Sequence, residues 1–133
     1  MPEIAVIIPT YNRISFLERA INSVLDQSCS VNQIIVIDDG STDDTKKVIK
    51  TKYPQVTYIH QKNQGVSVAR NRGIIETDCE WICFLDSDDT WHKNKIQKKK
   101  QKIKENSEML FCHTNEIWHQ HGKILNQQKK HKK

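Results

Sequence analysis

Apolar residues in the first two thirds of the chain follow two alternating patterns, short continuous runs and segments with helical spacing. The continuous runs predict buried β-strands at residues 4–9, 33–38, 56–60 and 81–85. Helical spacing predicts a helix at residues 16–25, Ser41 or Thr42 can cap a second helix, and a third helix is predicted at residues 66–75. Because the strands are apolar on both faces and alternate with helices, we predict an α/β fold, mainly a parallel sheet with helices on both faces.

Polar residues predict how two of these helices begin. Ser15 and Glu18 have the spacing of a capping box, in which the two side chains satisfy free backbone N–H groups at the helix start. We expect Ser41 or Thr42 at the N-cap of the second helix. That start would place two acidic residues in the first turn, where the helix dipole favours negative charge.

The character of the chain changes after residue 93. A polar, lysine-rich segment at residues 94–106 predicts a solvent-facing helix, and residues 109–113 predict a further strand. A hairpin is expected around His121 and Gly122. Residues 1–127 are therefore assigned to one domain, and residues 128–133 to a basic, disordered tail.

Charge is distributed unevenly between these two parts of the chain. Residues 1–92 contain nine Lys or Arg and thirteen Asp or Glu, a net charge of −4, whereas residues 93–133 contain twelve Lys and three Glu, a net charge of +9. An acidic domain followed by a basic segment is not typical of a nucleic-acid-binding protein, so no nucleic acid partner is expected. The lysines fit peripheral association with an anionic membrane face, and a solvated helix face explains them equally well.

Neither a membrane span nor a secretion signal is visible in the sequence. No stretch of about 18 apolar residues occurs, and the N-terminus has no basic region or cleavage site. The expected location is the cytoplasm, with the inner face of the membrane as an alternative. In that compartment the cysteines are interpreted as buried free thiols, at Cys29, Cys79, Cys83 and Cys112.

Three carboxylates follow the fourth predicted strand, at Asp86, Asp88 and Asp89. Ligands of open parallel sheets bind beyond the carboxyl ends of the strands, which makes this position informative. Like charges so close together repel unless a cation compensates them, and hard oxygen ligands suit Mg²⁺ or Mn²⁺. A helix N-cap is the alternative interpretation, but it accounts for one of the three acids.

The other strand ends carry weaker signals, each with a purely structural alternative. Asp39 could accept a hydrogen bond from a base or ribose, or belong to an Asp-Gly turn. Tyr11 could stack on a base and Arg13 could reach phosphate, or both could lie in a rigid turn after Pro9. Arg70 could face an anion or the acidic loops, or be a solvated helix residue.

Four motifs in order resemble family 2 of the nucleotide-sugar glycosyltransferases. They are VIIPTYNR at residues 6–13, IVIDDGSTD at 35–43, NQGVSVARNRG at 63–73 and FLDSDD at 84–89. The resemblance covers residues 3–96 closely and 97–127 loosely. It implies the GT-A fold, with a Rossmann-like nucleotide-binding half, and transfer of a sugar from a nucleoside-diphosphate donor with inversion at the anomeric carbon.

The resemblance also assigns residues to a donor site. Thr10 and Tyr11 match the loop that lines the base pocket, and Asp39 matches the acid that reads the base. A UDP-sugar is the favoured donor. The acceptor implied is a glycan or a lipid-linked glycan, in the biosynthesis of a polysaccharide.

Asp86 and Asp88 match the two acids of the family's D-x-D motif, which implies Mn²⁺ or Mg²⁺ as cofactor. Asp88 resembles the direct metal ligand, and Asp86 resembles a contact to ribose or to metal-bound water. Arg70 and Asn71 match the family's A-R-N element.

The sequence departs from the family pattern in its acceptor half. An inverting transfer needs a general base, which in the family is an acid well downstream, and here Glu116 is the last carboxylate. No catalytic residue is therefore identified in this chain. We expect either a truncated transferase or a module that pairs with a partner chain, in both cases binding donor and metal without transferring sugar.

Two other functions fit parts of the pattern. A nucleotidyltransferase also uses a metal-binding acid pair, but its glycine-rich loop after the first strand is absent from residues 10–13. A non-catalytic module that binds nucleotide or Mg²⁺, similar to a receiver domain, would carry its acid pair after the first strand. Here the pair at Asp38 and Asp39 follows the second strand.

Overall fold

The computed structural model describes residues 3–105, 111–112 and 117–119. In chain order the elements are β1 (Ile4–Thr10), α1 (Ile14–Leu25), β2 (Gln33–Asp38), α2 (Thr45–Lys52), β3 (Thr57–His60), α3 (Val66–Ile75), β4 (Trp81–Phe84), α4 (Lys95–Glu105), β5 (Phe111–Cys112) and β6 (Ile117–His119). The strands lie in one sheet in the order β3-β2-β1-β4-β6-β5.

Strands β3, β2, β1 and β4 are parallel, as predicted. β1 lies in the middle of this group and every one of its residues is buried, which fits its unbroken apolar sequence. β6 pairs antiparallel with β4, and β5 pairs antiparallel with β6. The chain leaves β1 toward β2 on one side and returns to β4 on the other, so the strand order reverses at β1.

Helices cover both faces of the sheet, which confirms the predicted α/β architecture. Alternate residues of β1 face opposite sides: Ile4, Val6 and Ile8 belong to a core with residues of α1, α2 and α4. Ile7 belongs to a second core, which includes Ala69 and Ile74 of α3. None of the helices in the described ranges is long and apolar enough to cross a membrane.

The predicted capping box of α1 is wrong. The N-cap is Arg13, and no side chain forms a capping hydrogen bond there. Glu18 instead accepts a hydrogen bond from Lys52 Nζ at 3.1 Å, so its carboxylate joins α1 to the end of α2. A partner on a neighbouring helix has replaced the local partner that the spacing indicated.

The predicted start of α2 is also wrong. The helix begins at Thr45 with Asp44 at the N-cap, and its first turn contains no acidic residue. The preceding N–H groups are already used, because those of Thr42 and Asp43 donate to Asn12 Oδ1 at 2.8 and 3.2 Å. Residues 41–43 are therefore a loop attached to the segment after β1, and not the first turn of a helix.

α4 differs from its prediction in its contacts. Instead of facing solvent throughout, it buries Ile96, Lys99 and Ile103, two of which belong to the larger core. Beyond α4, the strand predicted at 109–113 is present as β5, while the second arm of the predicted hairpin at 123–127 and the tail at 128–133 lie outside the described residues.

The cysteines are less uniformly buried than predicted. Cys83 is buried, whereas Cys29 and Cys79 are half-buried. Cys79 lies in the connection before β4 and Cys29 in the connection before β2, where the backbone runs nearer the surface. The side chain of Cys112 lies outside the description.

Gly73 allows α3 to lie directly against β1, which leads to a test of the packing. A Cβ at this position would stand 2.5 Å from Ile7 Cγ2. Although alanine favours helices over glycine, we expect Gly73→Ala to destabilise the protein by about 1–3 kcal/mol, the usual cost of overpacking a filled core. Denaturant unfolding measures the change.

Ser67→Ala, at an exposed position of the same helix, is the matched control for Gly73→Ala. It should alter the free energy of unfolding by less than about 0.5 kcal/mol. A Gly73→Ala variant with the stability of the wild type would contradict the close contact between α3 and β1.

Candidate functional site

The segments that follow β1, β2, β3 and β4 meet at the carboxyl edge of the sheet and enclose a cavity of about 510 Å³. That volume lies within the range of small-molecule sites, about 300–1,000 Å³. All six residues assigned to the donor site from the sequence line it: Thr10, Tyr11, Asp39, Arg70, Asp86 and Asp88. Further lining residues that the sequence did not single out include Asn63, Val66 and Ser87.

Asn12 fixes the segment after β1. Its backbone has a φ of 50°, a left-handed conformation that asparagine tolerates better than most residues. Its N–H donates to Ser41 Oγ at 2.8 Å, and its side-chain oxygen accepts the two N–H groups that precede α2. This fixes the backbone from which Tyr11 and Arg13 extend to the cavity, and Tyr11 is 47% exposed.

Asp38 and Gly40 shape the turn after β2. The buried carboxylate of Asp38 accepts hydrogen bonds from Ser41 N–H at 2.8 Å and from the Tyr58 hydroxyl. Burial and the neighbouring Asp38 carboxylate raise the pKa of Tyr58, so its hydroxyl remains a donor. Gly40 has a φ of 89°, and a Cβ there would lie 2.9 Å from Asn63 N, so only glycine fits.

Asp39 organises the segment between β3 and α3. Its Oδ1 accepts from Gln61 Nε2 and from Gln64 N–H, both at 2.8 Å, and its Oδ2 accepts from Gly65 N–H at 2.9 Å. Burial acts to raise the pKa of Asp39, but these three hydrogen bonds outweigh it and lower the pKa below its ordinary value. A carboxylate has about four acceptor positions, so one remains for a ligand.

Each acid of the predicted D-x-D pair forms an ion pair with an arginine. Arg13 Nη1 lies 3.0 Å from Asp88 Oδ2, and Arg70 Nη2 lies 3.0 Å from Asp86 Oδ1. Asp89 does not line the cavity, and its carboxylate accepts a hydrogen bond from Thr90 N–H. Arginines therefore compensate two of the three carboxylates in the ligand-free site.

Among the described residues, two buried polar atoms at the cavity have no hydrogen-bond partner, the hydroxyl of Thr10 and Nε of Arg70. Buried polar atoms are nearly always satisfied, so such exceptions are informative. The Arg70 guanidinium also lies over the Phe84 ring, 5.6 Å from its centroid, which holds the side chain in place. Asn71, the neighbour of Arg70 in the A-R-N element, is absent from the cavity lining among the described residues.

The side chains at the cavity fit a Mg²⁺ or Mn²⁺ site of the kind completed by a substrate. Within residues 3–105 and the two short strands that follow, no three His, Cys, Asp or Glu side chains are grouped to hold a metal alone. Mg²⁺ is commonly bound by one or two carboxylates together with phosphate oxygens. The carboxylates of Asp86 and Asp88, half-exposed on one loop of the cavity, match that smaller requirement.

Comparison with known proteins identifies relatives in bacteria. A glycosyltransferase of Rickettsia conorii is 45% identical over 84% of this chain, which spans 19% of that protein. The GalNAc(5)-diNAcBac-PP-undecaprenol beta-1,3-glucosyltransferase of Campylobacter jejuni is 35% identical over 84% of this chain, which spans 38% of it. The chain thus spans less than half the length of these two relatives.

Solved structures show the same fold. TarS of S. aureus superposes with a TM-score of 0.72 at 26% identity, over 79% of this chain and 20% of TarS. TarS 1–349 in complex with UDP-GlcNAc superposes with a TM-score of 0.69 at 25% identity, over 79% of this chain and 32% of that one. A sequence model of glycosyl transferase family 2 matches residues 5–130, and the chain therefore belongs to that family.

Proposed function

We propose that the cavity binds a nucleoside-diphosphate sugar, with a UDP-sugar favoured, as the donor site of a transferase. The observation that carries this proposal is the convergence of four strand-end segments on one cavity with an exposed aromatic ring, a buried acid, two arginines and an acid pair. TarS has been solved with UDP and with UDP-GlcNAc, which supports the choice of donor.

The base is assigned to the part of the cavity formed by the segments after β1 and β2. The exposed ring of Tyr11 offers a face on which a base can stack. Asp39 offers its remaining acceptor position to an N–H of the base or a ribose hydroxyl, and Thr10 offers its unpaired hydroxyl. A base held by one face and one edge would leave its diphosphate directed toward the acid pair.

The diphosphate is assigned to the opposite part of the cavity. The Arg70 guanidinium lines the cavity, its buried Nε has no hydrogen-bond partner among the described residues, and arginine binds phosphate oxygens through parallel hydrogen bonds. Asp88 and Asp86 would hold Mn²⁺ or Mg²⁺ beside the same phosphates. A divalent cation bound there would supply positive charge that stabilises the leaving nucleoside diphosphate.

The general base of an inverting transfer is assigned outside the described residues. The carboxylates at the cavity are those of Asp39, Asp86 and Asp88, and each already accepts hydrogen bonds or forms an ion pair. We propose that the acceptor half and the base come from a further segment or a partner chain. On this proposal residues 1–133 bind donor but do not turn it over at a useful rate.

The acceptor proposed is a glycan or a lipid-linked glycan. The name of the C. jejuni relative specifies a glucosyltransferase acting on a PP-undecaprenol-linked substrate, which supports the lipid-linked form. Such an acceptor would place the enzyme in the cytoplasm at the inner face of the membrane, in polysaccharide biosynthesis.

Asp88→Asn tests the metal role. We expect wild-type protein to bind UDP more tightly with Mn²⁺ than with a chelator, and the variant to lose that difference, weakening UDP binding in Mn²⁺ by about tenfold or more. Calorimetric titration measures both affinities. Asp89→Asn removes the same charge outside the cavity and should keep the Mn²⁺ effect. Equal UDP affinity of wild-type protein with and without the chelator would contradict the metal role.

Tyr11→Ala tests the base pocket. Loss of stacking should weaken UDP binding by about 1–3 kcal/mol. Phe16→Ala is the matched control, because Phe16 is a similarly exposed aromatic residue, 48% exposed on α1, that does not line the cavity. If both variants bind UDP as tightly as the wild type, the base does not stack on Tyr11.

A further inference from the structure

The two ion pairs join the acidic loop after β4 to opposite sides of the cavity. Arg13 comes from the segment between β1 and α1, and Arg70 comes from α3. The side chains of Arg13 and Asp88 are 50% and 52% exposed. Ion pairs exposed to this extent contribute little to stability, whereas separating a buried pair leaves a charge without compensation. The Arg13–Asp88 pair can therefore open at low cost.

Asp88 cannot keep both this arginine and a divalent cation as close partners. A cation at the carboxylate would place two positive groups within a few ångströms of each other, and like charges at that distance repel. An anion with several oxygens removes the conflict, since it can accept hydrogen bonds from the guanidinium and also neutralise the cation. A diphosphate has this character, and the planar guanidinium is well suited to it.

We propose that Arg13 is the internal counter-ion of Asp88 in the ligand-free site and transfers to the nucleotide diphosphate when Asp88 takes the divalent cation. This inference rests on the proposed donor site, and it adds to that site one residue and a coupling between cation binding and nucleotide binding. The sequence indicates a contact to phosphate only as one alternative for Arg13, and the assignment of the diphosphate above rests on Arg70, so the pairing of Arg13 with Asp88 and its exchange are the new elements. This exchange makes cation and nucleotide binding cooperative. The cation displaces Arg13 from Asp88, and the nucleotide diphosphate then supplies the displaced guanidinium with a new partner.

The surroundings of Arg13 favour movement of the side chain without movement of the backbone. The carbonyl of Arg13 accepts the first hydrogen bond of α1 from Leu17 N–H at 2.8 Å. The preceding Asn12 is held to residues 41–43 by its backbone and its side chain. The backbone at residues 12 and 13 is thus fixed at the cavity rim, and the exposed guanidinium can change partners by rotation about side-chain bonds. Arg70 can exchange in the same sense with Asp86, but its stacking on Phe84 restricts its reach.

Arg13→Gln tests the two parts of this exchange separately, the competition with Mn²⁺ at Asp88 and the contact with the diphosphate. Without its counter-ion, Asp88 should bind Mn²⁺ alone about two- to fivefold more tightly, the factor expected for losing a competing exposed pair. UDP in the presence of Mn²⁺ should bind more weakly, because a contact to phosphate is lost. The factor by which Mn²⁺ increases UDP affinity should fall. Calorimetry, with electron paramagnetic resonance for free Mn²⁺, measures all three on the whole chain.

Arg19→Gln is the matched control. Arg19 lies on the same helix as the Arg13 cap, stacks over Phe16 at 5.7 Å from the ring centroid, and does not line the cavity. Arg19→Gln removes the same positive charge as Arg13→Gln, so a gain in Mn²⁺ affinity that reflects only the net charge would appear in both variants. Arg13→Lys keeps the positive charge without the guanidinium fork, and its Mn²⁺ affinity should lie near that of the wild type.

Three outcomes distinguish this inference from the donor site on which it rests. Tighter Mn²⁺ binding by Arg13→Gln than by Arg19→Gln, with reduced cooperativity toward UDP, supports it. Equal Mn²⁺ affinities and equal cooperativity in these variants, while the wild type binds UDP with Mn²⁺, overturn the exchange and leave the donor site standing. Failure of the folded wild type to bind UDP with Mn²⁺ overturns both.

Discussion

The donor site depends on parallel pairing of β1 with a neighbour on each side. β1 is aligned with β2 over six residue pairs and with β4 over four. Parallel alignment brings the carboxyl ends of all these strands to one edge, and the reversal of strand order at β1 makes the following segments diverge. The cavity occupies the space between them. A change in the register of β1 would move Thr10 and the rest of the cavity lining together.

The sheet and its faces were predictable because their determinants are local in sequence. Unbroken apolar runs such as residues 4–8 have one stable solution in a chain of this length, burial on both faces. α3 was predicted with its observed bounds, in the interval between the third and fourth apolar runs. The location of the site was predictable as well, because polar residues that follow parallel strands must lie at one edge of the sheet.

Most partners of the site residues were not predictable, since they are distant in sequence. Arg70 is the exception, because a contact with the acidic loops was one of its predicted alternatives and it pairs with Asp86. Asp39 is separated by 26 residues from Gly65, whose N–H it accepts, and nothing local to either residue indicates the pairing. The acidic loop was judged from its own three carboxylates, whereas its charge is balanced by arginines from other segments. The capping predictions failed for a related reason, since the partners are distant in sequence. Glu18 accepts a hydrogen bond from Lys52, and the N–H groups of residues 42–43 donate to Asn12.

The hydrogen bonds of Asn12 and Asp39 also reduce the conformational-entropy cost of ligand binding. Together they connect three of the four segments around the cavity through backbone N–H groups, so these segments are ordered before any ligand arrives. Ordering a loop on binding reduces affinity, and a rigid, preformed site avoids that loss. The nucleotide therefore meets a largely preformed edge, and the conformational cost of association falls mainly on exposed side chains at the rim, the Arg13 guanidinium among them.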